Sequence, residues 1–259
     1  MDAVKIQSPP AENLIRGPGT TLAEWQSSPA LAQVPTITHQ QLIPQGHRLV
    51  VVAPHPDDEI LGCAGLLAGM KGREADVLMI AVTDGEASHR GSLTWPASRL
   101  RQQRPLESAR ALEQLGLDID ALNWQRLGLP DSDVAGQERQ LIDCLTTVFR
   151  PGDRVITTWQ LDGHCDHEAT GRATALAASK TNVCLIEVPV WAWHWARPQD
   201  PRIPWARAHK FLLDPLLLAR KRRAIAAHVS QTNPDGQNPA VLDEETIERL
   251  LQPFELVFL

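Results

Sequence analysis

Short apolar runs rich in valine alternate with longer segments of helical periodicity along most of this 259-residue chain. The apolar runs cover residues 47–53, 76–84, 121–129, 154–159 and 183–191. The helical segments cover residues 59–71, 99–116, 138–150 and 168–180. Apolar runs of this length are typical of parallel strands that are buried on both faces. The alternation therefore predicts an α/β fold, a Rossmann-like and mostly parallel sheet with helices on both faces.

The two ends of the chain differ from this central pattern. Residues 1–45 are rich in Pro, Gly, Ser and Thr and predict an N-terminal arm, which leaves residues 46–259 as a single domain. The C-terminal extension, residues 207–259, predicts one or two helices, a polar loop at 231–240, a helix near 243–251 and a final strand. The segment 99–116 predicts a helix that ends at Gly116, and Pro105 inside it leaves a late start near Arg104 as the alternative.

Composition and charge exclude several classes of protein. The net charge of −6 argues against nucleic-acid binding, which depends on clustered Lys and Arg. No apolar run approaches the ~20 residues that span a bilayer, and residues 1–10 lack the apolar core of a signal peptide. The four cysteines form no CxxC pair. These features predict free thiols and a cytoplasmic location.

Two polar clusters follow predicted strands at the edge of the sheet where α/β proteins bind ligands. The first, residues 54–59, contains His55, Asp57 and Asp58. Imidazole and carboxylate are good zinc ligands, and a catalytic zinc typically has three protein ligands. The other interpretation of this cluster is a turn whose acidic residues cap the following helix.

The second cluster, residues 162–168, contains His164, Asp166 and His167. Its two histidines and aspartate could supply one metal ligand, one donor to an oxyanion and one orienting carboxylate. Cys165 could be a soft metal ligand or a nucleophile, although a spacer role is favoured because the chain offers it no matching cysteine.

These two clusters resemble a known family. The block VVAPHPDDEILGCAG and the later block DGHCDHEATGRA are similar to the signatures of the PIG-L/LmbE deacetylases. Further similar segments are 82–89, 104–116 and 127–134, so that the resemblance covers roughly residues 47–190. Cys165 stands where the family usually has Pro.

The resemblance implies a zinc-dependent hydrolase with a Rossmann-like fold. By similarity, His55, Asp58 and His167 are the zinc ligands, and Asp57 is the general base. His164 is the group that stabilises the oxyanion or protonates the leaving amine, and Asp166 orients it. Zinc is expected as the metal, with another divalent ion such as Fe²⁺ as the alternative, since affinity alone does not decide metal identity.

Four further residues are predicted to contact the substrate: Arg104, Asp84, Glu86 and Trp191. Asp84 and Glu86 follow a predicted strand at the ligand-binding edge. In the segment 191–195, Trp and His residues alternate as in a strand. Its indole rings could form a wall for a sugar or an apolar tail, or could pack in the core or at the interface of a homo-oligomer.

The function expected from these features and from the resemblance is removal of an N-acetyl group from a small N-acetylated sugar or glycoconjugate, such as an N-acetylglucosaminyl compound. The alternatives are an amidase that acts on a thiol- or sugar-conjugate amide, and an inactive scaffold of the same fold. A nucleotide-binding module is disfavoured, because the first turn lacks a Gly-x-Gly-x-x-Gly pattern.

Overall fold

The computed structural model describes residues 15–259, and these residues form an α/β structure around one eight-stranded sheet. The strands are β1 Thr36–Ile37, β2 Leu49–Ala53, β3 Val77–Thr83, β4 Asn123–Leu129, β5 Arg154–Thr158, β6 Cys184–Val188, β7 Ala208–Leu212 and β8 Phe254–Phe258. The helices are α1 Leu22–Gln26, α2 Pro29–Gln33, α3 His39–Leu42, α4 Asp58–Ala68, α5 Ala97–Leu115, α6 Glu138–Val148, α7 Cys165–Thr181, α8 Ala192–Trp195, α9 Pro215–Ala226, α10 Val229–Thr232 and α11 Glu244–Leu250.

The strand order is β1-β7-β8-β6-β5-β2-β3-β4. Strands β2 to β6 are parallel to their neighbours among themselves, whereas β8 lies antiparallel between β6 and β7. The chain passes from β2 to β3 and β4 on one side and then crosses to β5 on the other side of β2. Parallel sheets bind ligands at such a switch point, beyond the carboxyl ends of the strands.

Alternate residues of the central strands belong to two separate cores. Val50 and Val52 pack with α6 and α7 on one face, whereas Leu49 and Val51 pack with α4, α5 and α9 on the other. A strand that is buried on both faces needs apolar residues at every position, and this is what the valine run of β2 supplies. The predicted fold class, a mostly parallel sheet with helices on both faces, is confirmed.

Part of the predicted N-terminal arm lies within the described residues. Residues 15–45 contain three short helices and the edge strand β1, and they bury Trp25 and Leu42 in the core. Residues 1–14, with the whole segment 1–10 that was inspected for a signal peptide, lie outside the described residues. The boundary between arm and domain at residue 45 stays a prediction.

The alternative of a late start for α5 is wrong. The helix begins at Ala97 and carries Pro105 in its interior. Proline has no N–H to donate to the carbonyl four residues earlier, which belongs to Arg101. The guanidinium of Arg126 donates to that carbonyl instead, at 3.2 Å, so that the acceptor is satisfied and the helix continues.

The strand predicted for 183–191 ends at Val188, and the segment after Trp191 forms the short helix α8 rather than an alternating strand. The carboxylate of Asp162 accepts hydrogen bonds from the backbone N–H groups of Val190, Trp191 and Ala192 at 2.9–3.0 Å. These N–H groups are therefore engaged by a side chain instead of a neighbouring strand. The C-terminal extension also contains a strand that was not predicted, β7.

Among residues 15–259, we find no helix that is long and apolar enough to cross a bilayer. The four cysteines lie in this range and are all free thiols.

Candidate active site

A cavity of about 240 Å³ opens at the carboxyl ends of the parallel strands. Its walls come from the turns after β2, β3, β4 and β5 and from the C-terminal extension. The lining residues are His55, Asp57, Asp58, Leu61, Ala87, Ser88, Arg104, Asp131, Ser132, His164, His167, Trp191, Gln231, Val241 and Leu242. Both predicted polar clusters therefore contribute to one cavity, although 112 residues separate His55 from His167 in the chain.

The turn between β2 and α4 supplies the first group of polar side chains. Asp57 precedes the helix with φ 156° and ψ −27°, a combination that residues with a side chain rarely adopt. Asp57 and Asp58 are both less than 10% exposed. Asp57 does not cap the helix through its side chain, which argues against a turn built only for capping.

The two histidines among the three predicted metal ligands both contact one oxygen of the third, Asp58 Oδ2. It lies 3.1 Å from His55 Nδ1 and 3.2 Å from His167 Nε2. In a tetrahedral zinc site with bonds of 2.0–2.2 Å, neighbouring donor atoms are about 3.4 Å apart. The spacing of these atoms therefore fits ligands that face a common metal ion.

His167 is prepared to act as a ligand through Nε2. Its Nδ1 lies 2.8 Å from Asp162 Oδ2, and both side chains are fully buried. Because the carboxylate accepts a hydrogen bond there, Nδ1 carries the proton of the neutral ring and Nε2 presents a lone pair. Nε2 is buried, and its contact with Asp58 Oδ2 at 3.2 Å does not have the geometry of a hydrogen bond. A carboxylate behind a histidine is a common second layer of metal sites.

His55 also has carboxylates behind the ring nitrogen that faces away from Asp58. Its Nε2 lies 3.2 Å from Asp166 Oδ2 and 3.4 Å from Asp131 Oδ1, which leaves Nδ1 directed at Asp58. The backbone N–H groups of Ser132 and Val134 donate to the Asp166 carboxylate at 2.7 and 3.1 Å and fix its position.

Asp166 was predicted to orient His164. In the structure, its carboxylate accepts hydrogen bonds from His55, Ser132, Val134 and the thiol of Cys165. His164 is instead contacted by the backbone N–H of Asp166. That N–H donates to His164 Nδ1 at 3.3 Å, so that Nε2 carries the proton of the neutral ring. The ring of His164 stacks on the indole of Trp191, with centroids 6.4 Å apart and planes inclined by 20°.

Arg104 reaches the cavity from the middle of α5 and holds Asp57. It is 3% exposed, and its Nη2 donates to Asp57 Oδ2 at 2.9 Å and to the Pro56 carbonyl at 3.0 Å. Its Nη1 donates to the carbonyl of Gly85, at 2.9 Å. A Cβ on Gly85 would lie 2.0 Å from Nη1, so glycine is needed here for the guanidinium to fit.

Burial and neighbouring charges set the protonation of these groups. Burial raises the pKa of Asp57 to about 6, although Arg104 acts in the opposite direction. Burial, together with His167 and His55, lowers the pKa of His164 to about 3. His164 is therefore neutral at pH 7, and Asp57 is mostly ionised. A neutral donor and an ionised base are the pair that an amide hydrolysis requires.

The pKa values of His55 and His167 are raised, in contrast to that of His164. Burial alone would lower the pKa of His167, but Asp58 and Asp162 outweigh it and raise the value to about 9. For His55, the carboxylates of Asp131, Asp166 and Asp58 likewise outweigh burial and raise the pKa well above its usual value. The cluster thus attracts positive charge, which a divalent metal supplies more effectively than protons.

The predicted substrate residues have different positions. Arg104 and Trp191 line the cavity. Asp84 and Glu86 do not belong to its lining, and within residues 15–259 their carboxylates pair with Arg126 at 2.7 Å and Arg101 at 3.2 Å. Asp131 and Asp162 are part of the site but were given no role from the sequence. Only Pro130 separates Asp131 from the end of β4, so its place at a strand end was a usable signal.

Comparison with known proteins identifies the family. Residues 50–178 match the PIG-L family, which is described as GlcNAc-PI de-N-acetylase. The chain belongs to the PIG-L family. The matched segment of this PIG-L chain runs from β2 to α7 and includes both polar clusters of the cavity. The predicted family resemblance is thereby confirmed.

Two curated relatives of this PIG-L chain carry named activities. It is 29% identical over 177 residues to the 1D-myo-inositol 2-acetamido-2-deoxy-alpha-D-glucopyranoside deacetylase of Mycobacterium sp. (strain KMS), covering 59% of the chain and 55% of the relative. It is 30% identical over 155 residues to a mycothiol S-conjugate amidase of Streptomyces coelicolor, covering 50% and 51%. The chain thus spans about half the length of the curated relatives that it matches.

A solved structure shares the fold of this PIG-L chain over a longer stretch. A deacetylase from the biosynthesis pathway of teicoplanin superimposes with a TM-score of 0.61 and covers 82% of the chain and 96% of its own length. The two sequences are 19% identical, so this likeness concerns the fold alone.

Proposed function

We propose that this chain is a zinc-dependent hydrolase that removes an N-acetyl group from a small sugar-containing compound. The observation that carries the proposal is the convergence of His55 Nδ1 and His167 Nε2 on Asp58 Oδ2, with a carboxylate behind each imidazole. Membership of the PIG-L family and a relative named as a deacetylase of an acetamido-glucopyranoside support the choice of reaction and substrate class.

His55, Asp58 and His167 would hold the metal, and the donor set of two imidazoles and one carboxylate suits zinc. The fully buried His167 Nε2 faces Asp58 Oδ2 at 3.2 Å without a well-formed hydrogen bond, and this is the strongest sign that an ion belongs between them. When bound, zinc would polarise the amide carbonyl and make a nearby water more acidic. Fe²⁺ remains the alternative ion for the same ligands.

Asp57 is the group to which we assign proton transfer from the attacking water. Its Oδ2 is held by Arg104 at 2.9 Å, and its carboxylate lines the cavity next to Asp58. A pKa of about 6 suits a base that must be ionised near neutral pH and must then pass its proton on. Arg104 fixes the direction of the carboxylate and so acts as a positioning residue.

His164 is the donor to which we assign the oxyanion and the leaving amine. In its neutral ring, Nδ1 accepts a hydrogen bond from the Asp166 N–H, and the proton is on Nε2, where it can be donated to the substrate. Such a donor stabilises the negative charge that develops on the carbonyl oxygen when water adds to the amide. Trp191, stacked on this ring, would form the wall for the apolar face of a sugar.

The relative named as a mycothiol S-conjugate amidase keeps the second candidate function open, hydrolysis of a thiol-conjugate amide. The catalytic groups would be the same, and only the substrate would differ. The predicted cytoplasmic location agrees with four free thiols and stays a prediction.

The experiment compares release of free amine from N-acetylglucosaminyl glycosides and from thiol-conjugate amides by the zinc-loaded protein. We expect turnover of the acetamido sugars, and turnover that requires Asp57. Turnover confined to the thiol conjugates would select the amidase. No turnover of either class by a folded, zinc-loaded protein would overturn the proposal and favour an inactive scaffold.

A further inference from the structure

The first turn of α7 brings together three ligand types that metals bind. His164 precedes the helix, and Cys165 and Asp166 are its first two residues. One ligand atom from each of these three side chains lies within 4.8 Å of the others. Cys165 Sγ is 3.8 Å from Asp166 Oδ1. In a tetrahedral zinc site, a thiolate sulfur and a carboxylate oxygen are about 3.6 Å apart.

The thiol of Cys165 is accessible, since this residue is exposed whereas Asp166 is fully buried. A metal ion can therefore reach Sγ from solvent. The two carboxylate oxygens of Asp166 also divide their contacts. Oδ2 faces His55 and accepts from the Ser132 N–H, whereas Oδ1 faces Cys165 and accepts from the Val134 N–H at 3.1 Å. A second ion could thus use Oδ1 while Oδ2 keeps its contact with His55.

His164 would lose its assigned role whichever nitrogen it used. Binding through Nδ1 replaces the 3.3 Å hydrogen bond from the Asp166 N–H, which fixes the tautomer. Binding through Nε2 removes the proton that we assign to the oxyanion. Occupation of this turn is therefore incompatible with catalysis by His164.

We propose that His164, Cys165 and Asp166 form a second site for a thiophilic divalent metal, such as Zn²⁺ or Cd²⁺, and that its occupation inhibits the enzyme. On binding, the Sγ–H bond breaks, a metal–sulfur bond forms, and the proton goes to solvent. The inhibition rests on the proposed function, whereas the metal binding does not. The resembling family usually has Pro at position 165, which has no ligand atom, so this site is a property of the present chain.

Cadmium is the probe, because a cadmium–thiolate bond produces an ultraviolet charge-transfer absorption. His55, Asp58 and His167 contain no sulfur, so any such band reports a cysteine. The protein is first loaded with one equivalent of zinc and then titrated with Cd²⁺, and bound metal is counted after gel filtration. The variants are Cys165→Ser and, as a matched control, Cys184→Ser, which removes a half-buried thiol on β6.

We expect a band that saturates at one Cd²⁺ per chain in wild type and in Cys184→Ser and that is absent in Cys165→Ser. No band in wild type, or an equal band in Cys165→Ser, would overturn the site.

Enzyme activity is measured in parallel at increasing excess of zinc. For each protein, this activity is divided by the activity of the same protein with one equivalent of zinc. We expect the inhibitory zinc concentration to rise at least about tenfold in Cys165→Ser, as for loss of a metal-binding group. If the cadmium–thiolate band forms but excess zinc does not inhibit an active enzyme, the proposal that this site is inhibitory would be refuted. A band in a protein that hydrolyses no amide would leave the site standing and overturn the proposed function instead.

Discussion

Asp162 Oδ2 accepts a hydrogen bond from His167 Nδ1 at 2.8 Å, and both side chains are fully buried. The same carboxylate also binds the backbone N–H groups at the start of the Trp191 segment. One buried side chain therefore fixes the tautomer of a predicted metal ligand and the path of the chain beside His164. The metal site and the aromatic wall of the cavity are thereby coupled.

The first prediction concerns this carboxylate. In Asp162→Asn, we expect zinc affinity to fall by about 10- to 100-fold, because the ring of His167 is no longer held with Nε2 free. Affinity is measured by competition with a chelator of known strength, and circular dichroism checks the fold. Unchanged affinity in a folded variant would show that Asp162 serves only the backbone.

The second prediction separates the base from the ligands. Asp57→Asn keeps the bonds around Asp58 and should bind zinc as wild type does. We expect its kcat to fall by about 100- to 10,000-fold, since an amide cannot accept the proton of the attacking water. Zinc content and single-turnover rates are measured on the same preparation. Wild-type turnover in this variant would exclude Asp57 as the base.

The third prediction tests the donor that we assign to the oxyanion, His164. In His164→Ala, we expect kcat to fall by about 100- to 1,000-fold, the usual effect of removing an oxyanion donor. KM should change much less, because the lost hydrogen bond forms mainly in the transition state. Steady-state kinetics at one equivalent of zinc measure both. A variant with raised KM and normal kcat would assign His164 to substrate binding instead.

The fourth prediction concerns His228, which is fully buried with no hydrogen-bond partner for either ring nitrogen among the described residues. Burial lowers its pKa to about 3, below the value of ~6.5 in an unfolded chain. Between these values the unfolded state binds a proton that the folded state does not, so stability is lost as pH falls below 6.5. The contribution is fully present above that pH.

The test uses His228→Met, which cannot titrate. Unfolding free energies of metal-free wild type and variant are measured in urea between pH 7 and pH 4. We expect wild type to lose on the order of 3 kcal/mol relative to the variant over this range. His209→Met on the partly exposed strand β7 serves as control. A constant difference between wild type and His228→Met would contradict a neutral buried imidazole.

The sequence was sufficient for the central sheet, because the runs around Val50 and Val155 are apolar at successive positions. It was also sufficient to expect both polar clusters at one sheet edge, since both follow parallel strands. That His55 and His167 meet depends on β2 and β5 being neighbours, which is a property of strand order. No local pattern contains that order, and the family resemblance supplied it indirectly.

Long-range hydrogen bonds explain what the sequence did not predict. The alternating pattern around Trp191 predicted a strand. The segment is not a strand because its backbone N–H groups donate to the carboxylate of Asp162, about 30 residues earlier in the chain. Pro105 suggested a helix start near Arg104. The helix instead continues through Pro105, because Arg126 donates to the carbonyl that the proline leaves without a hydrogen bond. The sequence places Asp131 at a strand end but does not otherwise distinguish it from an ordinary turn residue. Its part in the site is visible only in the structure, where its carboxylate lies 3.4 Å from His55 Nε2.

The most direct test of the account is metal content. Wild type, His167→Ala and the control His209→Ala are dialysed with one equivalent of zinc, passed through a desalting column and analysed for zinc per chain. The account predicts about one zinc in wild type and in the control and almost none in His167→Ala. Zinc-free wild type, or full retention by a folded His167→Ala, would contradict the central claim that His167 and its partners hold a metal.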